Sequence, residues 1–105
     1  MNQEQTQQEY NDKVAQVASL AVTFAKTGNG FFSLRSAFNE LCEQSGANKG
    51  IDHDSTIGRR KLLVQSVCIK CISSLSSAEN SRLEDQLKEI AEDWQEENSR
   101  ARMRR

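Results

Sequence analysis

Three cysteines and a single histidine are the side chains of this chain best suited to hold a metal or attack a bond. Cys68 and Cys71 stand at i, i+3, on one side of a helix. With Cys42 and His53 they would complete a Cys3His set of the kind that binds structural zinc. Zinc pairs usually sit in knuckles or loops, whereas this pair lies among Val67, Ile69 and Ile72, inside an apolar helical stretch. A redox Cys-x-x-Cys normally opens a helix, where the dipole lowers the thiol pKa. This one lies about three turns in, where burial would raise the pKa and leave the thiols inert. The pair therefore reads as two small core residues, the zinc set is a remote possibility, and no cofactor is expected. His53, between Asp52 and Asp54, has no partnered nucleophile and reads as part of a loop that caps the next helix. Gly28-Asn29-Gly30 follows a helix and not a strand, so it lacks the setting of a nucleotide-binding turn. No Ser-His-Asp arrangement or defensible acid pair is present, so enzymatic activity is not expected.

Charge is the second source of candidates. The net charge of −1 creates no global field to recruit nucleic acid, but its distribution is uneven. Acidic residues crowd the stretch from Glu79 to Glu97, mostly opposite the apolar row of a helix, and read as a solvated face that could dock on a basic partner. Arg100, Arg102, Arg104 and Arg105 suit the negative end of that helix dipole. Arg59, Arg60 and Lys61 instead open a helix, where positive charge is mildly unfavourable, with Lys70 three turns further along. That misfit makes Arg59, Arg60, Lys61 and Lys70 the candidates for phosphate contact, assisted by Arg100 and Arg102, on the backbone of duplex RNA or DNA. A salt bridge to a neighbouring helix would explain the misfit equally.

The elements that must position these groups are helical. The chain has no proline and only five glycines, the two strongest helix breakers. Residues 1–9 are Gln-rich without apolar anchors and are expected to fray. Tyr10, Val14, Val17, Ala21 and Phe24 recur at alternating spacings of four and three, one face of a helix that Thr27-Gly28-Asn29-Gly30 should close. Phe31, Leu34, Phe38 and Leu41, with Cys42 beside them, form the face of a second helix ending near Gln44. A loop follows from Ser45 through Asp54, with Asp54 or Ser55 as the expected N-cap of a central helix. That helix, from about Ile57 to Leu75, is apolar on most sides and leaves a narrow polar strip of Arg59, Ser66, Lys70 and Ser73, so the other segments should pack around it. The Ser-rich join from Ser73 to Asn80 is expected to break the chain, with Ser81-Arg82-Leu83-Glu84 as a capping box. Leu83, Leu87, Ile90 and Trp94 then line a last helix, and residues 99–105 form a mobile Arg-rich end.

One all-α domain follows: an antiparallel bundle of about four helices. Leu, Ile, Val and Phe make up about a fifth of the chain, close to the level below which charged chains tend to stay disordered. A core this thin favours assembly, and the narrow seams of the first and last helices suggest a homodimer. The polar start lacks the pattern of a signal peptide, no segment is apolar enough to span a bilayer, and three cysteines fit reduced thiols. A soluble, cytoplasmic protein is the expectation. Phe31 and Phe32 cannot both face one seam, because neighbours on a helix differ by about 100°. One of them should meet a partner, and Trp94 and Leu87 are further interface candidates. The expected function is a non-enzymatic interaction protein that binds another macromolecule, most readily a protein, and occludes its surface. Accessory regulators of viruses or mobile elements are of this kind. Binding to duplex nucleic acid is the alternative.

Overall fold

A computed structural model describes the backbone of residues 2–93 and the side chains of residues 7–93. Among these residues there are four α-helices and no strand: α1 (Asn2–Thr27), α2 (Phe31–Ser45), α3 (His53–Cys71) and α4 (Ser77–Asp93). Short 3₁₀ turns at Ala47–Lys49 and Ile72–Ser74 flank α3. The all-helical expectation holds. α1 packs on α2, α3 and α4, and α3 packs on α4.

The helical rows read from the sequence are the buried ones. Val14, Val17 and Ala21 of α1 are buried, and Tyr10 and Phe24 pack at the edges of the core. Leu34, Phe38 and Leu41 meet them from α2, and Leu83, Leu87 and Ile90 from α4. Burying side chains of this size stabilises a fold by roughly 1.5–3 kcal/mol each. α1 begins at Asn2, well ahead of Tyr10. Gln and Glu are good helix formers, and Gln8 Nε2 donates to Asp12 Oδ1 at 3.0 Å across one turn.

The ends of the helices follow local chemistry. At the close of α1, Gly28 adopts φ 77° and its N–H donates to Phe24 O at 2.8 Å, a left-handed cap that a side chain would strain. The N-cap of α3 is Asp52, whose Oδ1 accepts from the Ser55 N–H at 2.8 Å. It stands ahead of the expected Asp54 or Ser55, because the preceding loop is shortened by its 3₁₀ turn. Gly50 lies against the same turn. Its N–H donates to the buried Thr56 Oγ1 at 3.1 Å, and an added Cβ would sit 2.6 Å from the Thr56 nitrogen.

The serine-rich join does break the chain. α3 ends at Cys71, a turn follows, and Leu75 is extended at φ −126° and ψ 151°. The capping box, however, is Ser76–Glu79 and not Ser81–Glu84. The Ser76 N–H donates to Glu79 Oε1 at 2.9 Å, and the Glu79 N–H donates to Ser76 Oγ at 3.2 Å. Ser76 wins because the extended Leu75 immediately before it leaves the first orphan N–H groups of α4 beside its hydroxyl. Glu84 instead pairs with Lys88 at 3.3 Å, one turn on.

Candidate interaction surfaces

Arg60 is the best-connected polar side chain of the core. It is fully buried, with 0% of its surface exposed. Its Nε donates to Ala91 O at 2.9 Å and its Nη2 to Ile90 O at 3.0 Å, both in the last described turn of α4. Nη1 donates to Asn48 Oδ1 and Nη2 also to Asn39 Oδ1, each at 2.9 Å. The guanidinium carbon stands 5.8 Å from the centre of the Phe38 ring, within the range of a cation–π contact. Burial pushes its pKa below the usual arginine value, opposed by the nearby Cys42 and Asp93. One planar fork thus joins α2, the 3₁₀ turn after it, α3 and α4, which a lysine could not do.

This placement corrects the reading of Arg60 as a phosphate contact: its donors point into the protein, and none faces solvent. The other cations of the expected strip divide. Lys61 Nζ pairs with Glu92 at 2.9 Å on α4, the neighbouring-helix bridge that was the competing explanation. Arg59 and Lys70 are exposed and form no ion pair among the described residues. Arg100 and Arg102, the mobile end expected at 99–105, and Trp94 lie outside the described residues.

The four candidate zinc ligands do not converge. Cys42, Cys68 and Cys71 are buried, whereas His53 is exposed in the first turn of α3. Among the described residues no three His, Cys, Asp or Glu side chains are placed to hold a metal ion. Burial pushes the thiols of Cys42 and Cys68 up to about 11, and that of Cys71 upward as well. Cys71 Sγ donates weakly to Ala18 O at 3.6 Å. These are packing residues, with the thiolate disfavoured.

Besides Ile51, 93% exposed in the loop before α3, exposed large apolar side chains mark two places. The first is the corner between α1 and α2. Phe31 is half-buried, 5.7 Å centre to centre from Phe24, and Phe32 stands edge-on to Phe31 at 5.8 Å. Phe32 remains 77% exposed. One phenylalanine therefore anchors the corner and the other projects from it, as their 100° offset requires. Leu87, by contrast, has no exposed surface and belongs to the core. Its row on α4 is fully used against the rest of the fold, which removes it as an interface anchor.

The second place is the outward face of α3. Leu62, Ile69 and Ile72 are 65%, 67% and 57% exposed, although the apolar character of this helix suggested cover on most sides. The buried face of α3 is Leu63, Val64, Val67, Cys68 and Cys71 with Arg60. α1 and α4 cover only that side. The helix thus carries two apolar faces, one satisfied and one open. The signal was present in the spacing: Gly58, Leu62, Gln65, Ile69 and Ile72 follow at four, three, four and three, a second seam independent of the buried one.

No helix of the described residues is long and apolar enough to cross a membrane. The comparisons with known proteins add no relative: no family model, no curated protein and no solved structure matches this chain.

Proposed function

We propose that this chain is a non-enzymatic interaction protein, an antiparallel helical bundle that works as a homodimer and covers a surface of another protein. The observation that carries the reading is Phe32, a large aromatic side chain held out in solvent by a buttressed neighbour. Phe31 packs behind it with its ring tilted against Phe24, and the two left-handed glycines of the turn, Gly28 and Gly30, set the direction of α2. Rigid aromatic side chains lose little conformational freedom on binding and are enriched among contacts that dominate affinity. A partner's apolar groove would take the Phe32 ring, with polar neighbours such as Ser33 and Arg35 at its rim.

The antiparallel course is supported by Arg60, which ties an early turn of α3 to the last described turn of α4. The duplex-binding alternative is weakened by the same residue, since the centre of its basic strip is internal.

The test is site-specific photo-crosslinking in host cells, with a benzoyl-phenylalanine analogue at position 32 and at the exposed control Glu43, three turns further along α2. The proposal expects a discrete protein adduct from position 32 that the control does not give. Identical patterns from both positions would sink it. In parallel, anisotropy with labelled duplex RNA and DNA should show no salt-steep binding. Tight binding that falls steeply with salt and is lost in Arg59→Glu would replace this reading with the nucleic-acid one.

A further inference from the structure

We propose that the open face of α3 pairs with the same face of a second copy of this chain, as a parallel, in-register pair of helices. The inference rests on the reading of this chain as a homodimeric interaction protein and names the surface and geometry of the dimer. It uses a different surface from Phe32, so either can fail alone.

The seam has the period of a two-stranded coiled coil. Ser55, Gly58, Leu62, Gln65, Ile69 and Ile72 recur at three, four, three, four and three, and all but the half-exposed Ser55 are exposed. From Gly58 to Ile72 the row runs about 21 Å along the helix. Ile72 begins the terminal 3₁₀ turn, but its backbone keeps helical angles, φ −55° and ψ −43°, so it stays in line. A Cβ built on Gly58 meets nothing within 4 Å, which leaves room for two helix axes to approach closely at that end.

Gln65 selects the orientation. In a parallel pair each layer meets its own copy: Leu62 on Leu62, Gln65 on Gln65, Ile69 on Ile69 and Ile72 on Ile72. The two Gln65 amides can then hydrogen-bond to each other, and aliphatic side chains meet only aliphatic ones. An antiparallel pair sets this position against Leu62 or Ile69 of the other chain. A covered amide would then lack a partner, which is costly. A polar layer flanked by apolar ones is a known way of fixing register.

The rim charges agree. In a parallel seam the residue before one layer lies beside the residue five positions on in the other chain. Asp54 of one copy then meets Arg59 of the other, twice by symmetry. Both are exposed in the single chain, and Arg59 forms no ion pair there among the described residues. Lys61 keeps its bond to Glu92, and Lys70 falls outside the seam, so no cation is forced against another.

The test is sedimentation velocity over a concentration series on the full chain. Wild type is expected to dimerise. Ile69→Lys, at a position exposed in the single chain, should be monomeric with unchanged helical content. Asp54→Lys and Arg59→Glu should each weaken the dimer about tenfold, because two pairs are lost and two like-charge contacts appear. Combining them should restore the wild-type dissociation constant to within about threefold. Gln65→Cys should form an interchain disulfide under mild oxidation, the native thiols being buried. A monomeric wild type, a dimer indifferent to Ile69→Lys, or a double charge reversal no better than the single ones would overturn the proposal. The last result would point to an antiparallel pair or to a partner of different sequence.

Discussion

Arg59 and Arg60 are neighbours in the chain and opposites in the fold. Arg59 stands in solvent beside an open apolar row, whereas Arg60 is sealed in the core with four hydrogen bonds to α2, α4 and the turn between α2 and α3. A rotation of about 100° about the helix axis separates them. The same contrast runs along the whole of α3. Its inner face combines aliphatic side chains with one buried cation and defines the bundle. Its outer face combines aliphatic side chains with an exposed cation and leaves the bundle unchanged. Residue type alone does not distinguish buried from exposed groups here; the face they occupy does.

The largest expected effect separates the two faces directly. Val67→Asp buries a charge with no counterpart at a fully enclosed position and should cost about 4–5 kcal/mol or more. That is comparable to the whole stability of many small domains, so circular dichroism should show the helices lost. Ile69→Asp, two residues on, should change the stability of the dilute, single chain by no more than about 0.5 kcal/mol. Arg60→Ala comes next, at about 3 kcal/mol, because it leaves the Ile90 and Ala91 carbonyls and two amide oxygens without their donor. Chemical denaturation midpoints measure the last two.

A smaller effect lies at alkaline pH. The folded-state pKa values of Cys42 and Cys68 are raised from 9.0 to about 11. The folded protein therefore prefers the protonated thiols. Their contribution is complete below 9.0 and is lost as the pH rises from there towards about 11. Between pH 8 and pH 10 the loss should be about 1 kcal/mol per thiol. A Cys42→Ala, Cys68→Ala double variant, though less stable throughout, should show a flatter pH profile over that interval.

The smallest effect belongs to the helix caps. Hydrogen bonds from the backbone of Ser55 and Ser76 hold the carboxyls of Asp52 and Glu79 below their ordinary values of 3.8 and 4.5. Their stabilisation is therefore fully present above those values and is lost as the pH falls below them, through the lower values of the folded state. The gap in melting temperature between wild type and an Asp52→Ala, Glu79→Ala variant should narrow in acid. A gap that persists unchanged would remove charge from the capping account.

Much of the inner architecture was legible because one-sided helices announce themselves. The rows Tyr10 to Phe24 and Phe31 to Leu41 each have a single apolar face, and so does Leu83 to Ile90, so periodicity alone identified what is buried. α3 resisted this reading because two seams are superposed on it. Their sum looks like a helix covered on most sides, which hides the open row of Leu62, Ile69 and Ile72. Arg60 was illegible for a different reason. Its partners are two asparagines and two backbone carbonyls distant in sequence, none of them acidic, so no charge pattern betrayed a buried cation. The capping box moved to Ser76–Glu79 because five serines between residues 73 and 81 offer several caps. Only the extended Leu75 decides among them. The exposure of Phe32 and the anchoring of Phe31, in contrast, follow from two adjacent aromatics at a helix start.

The central claim is that α3 keeps its structural and its interacting groups on opposite faces, and adjacent arginines test it most directly. Thermal unfolding of Arg59→Ala and Arg60→Ala should be recorded side by side in dilute protein. Arg59→Ala should unfold cooperatively within about 2 °C of wild type, and Arg60→Ala should fall by roughly 12–20 °C. Equal shifts in the two variants, or a larger one for Arg59→Ala, would contradict the account.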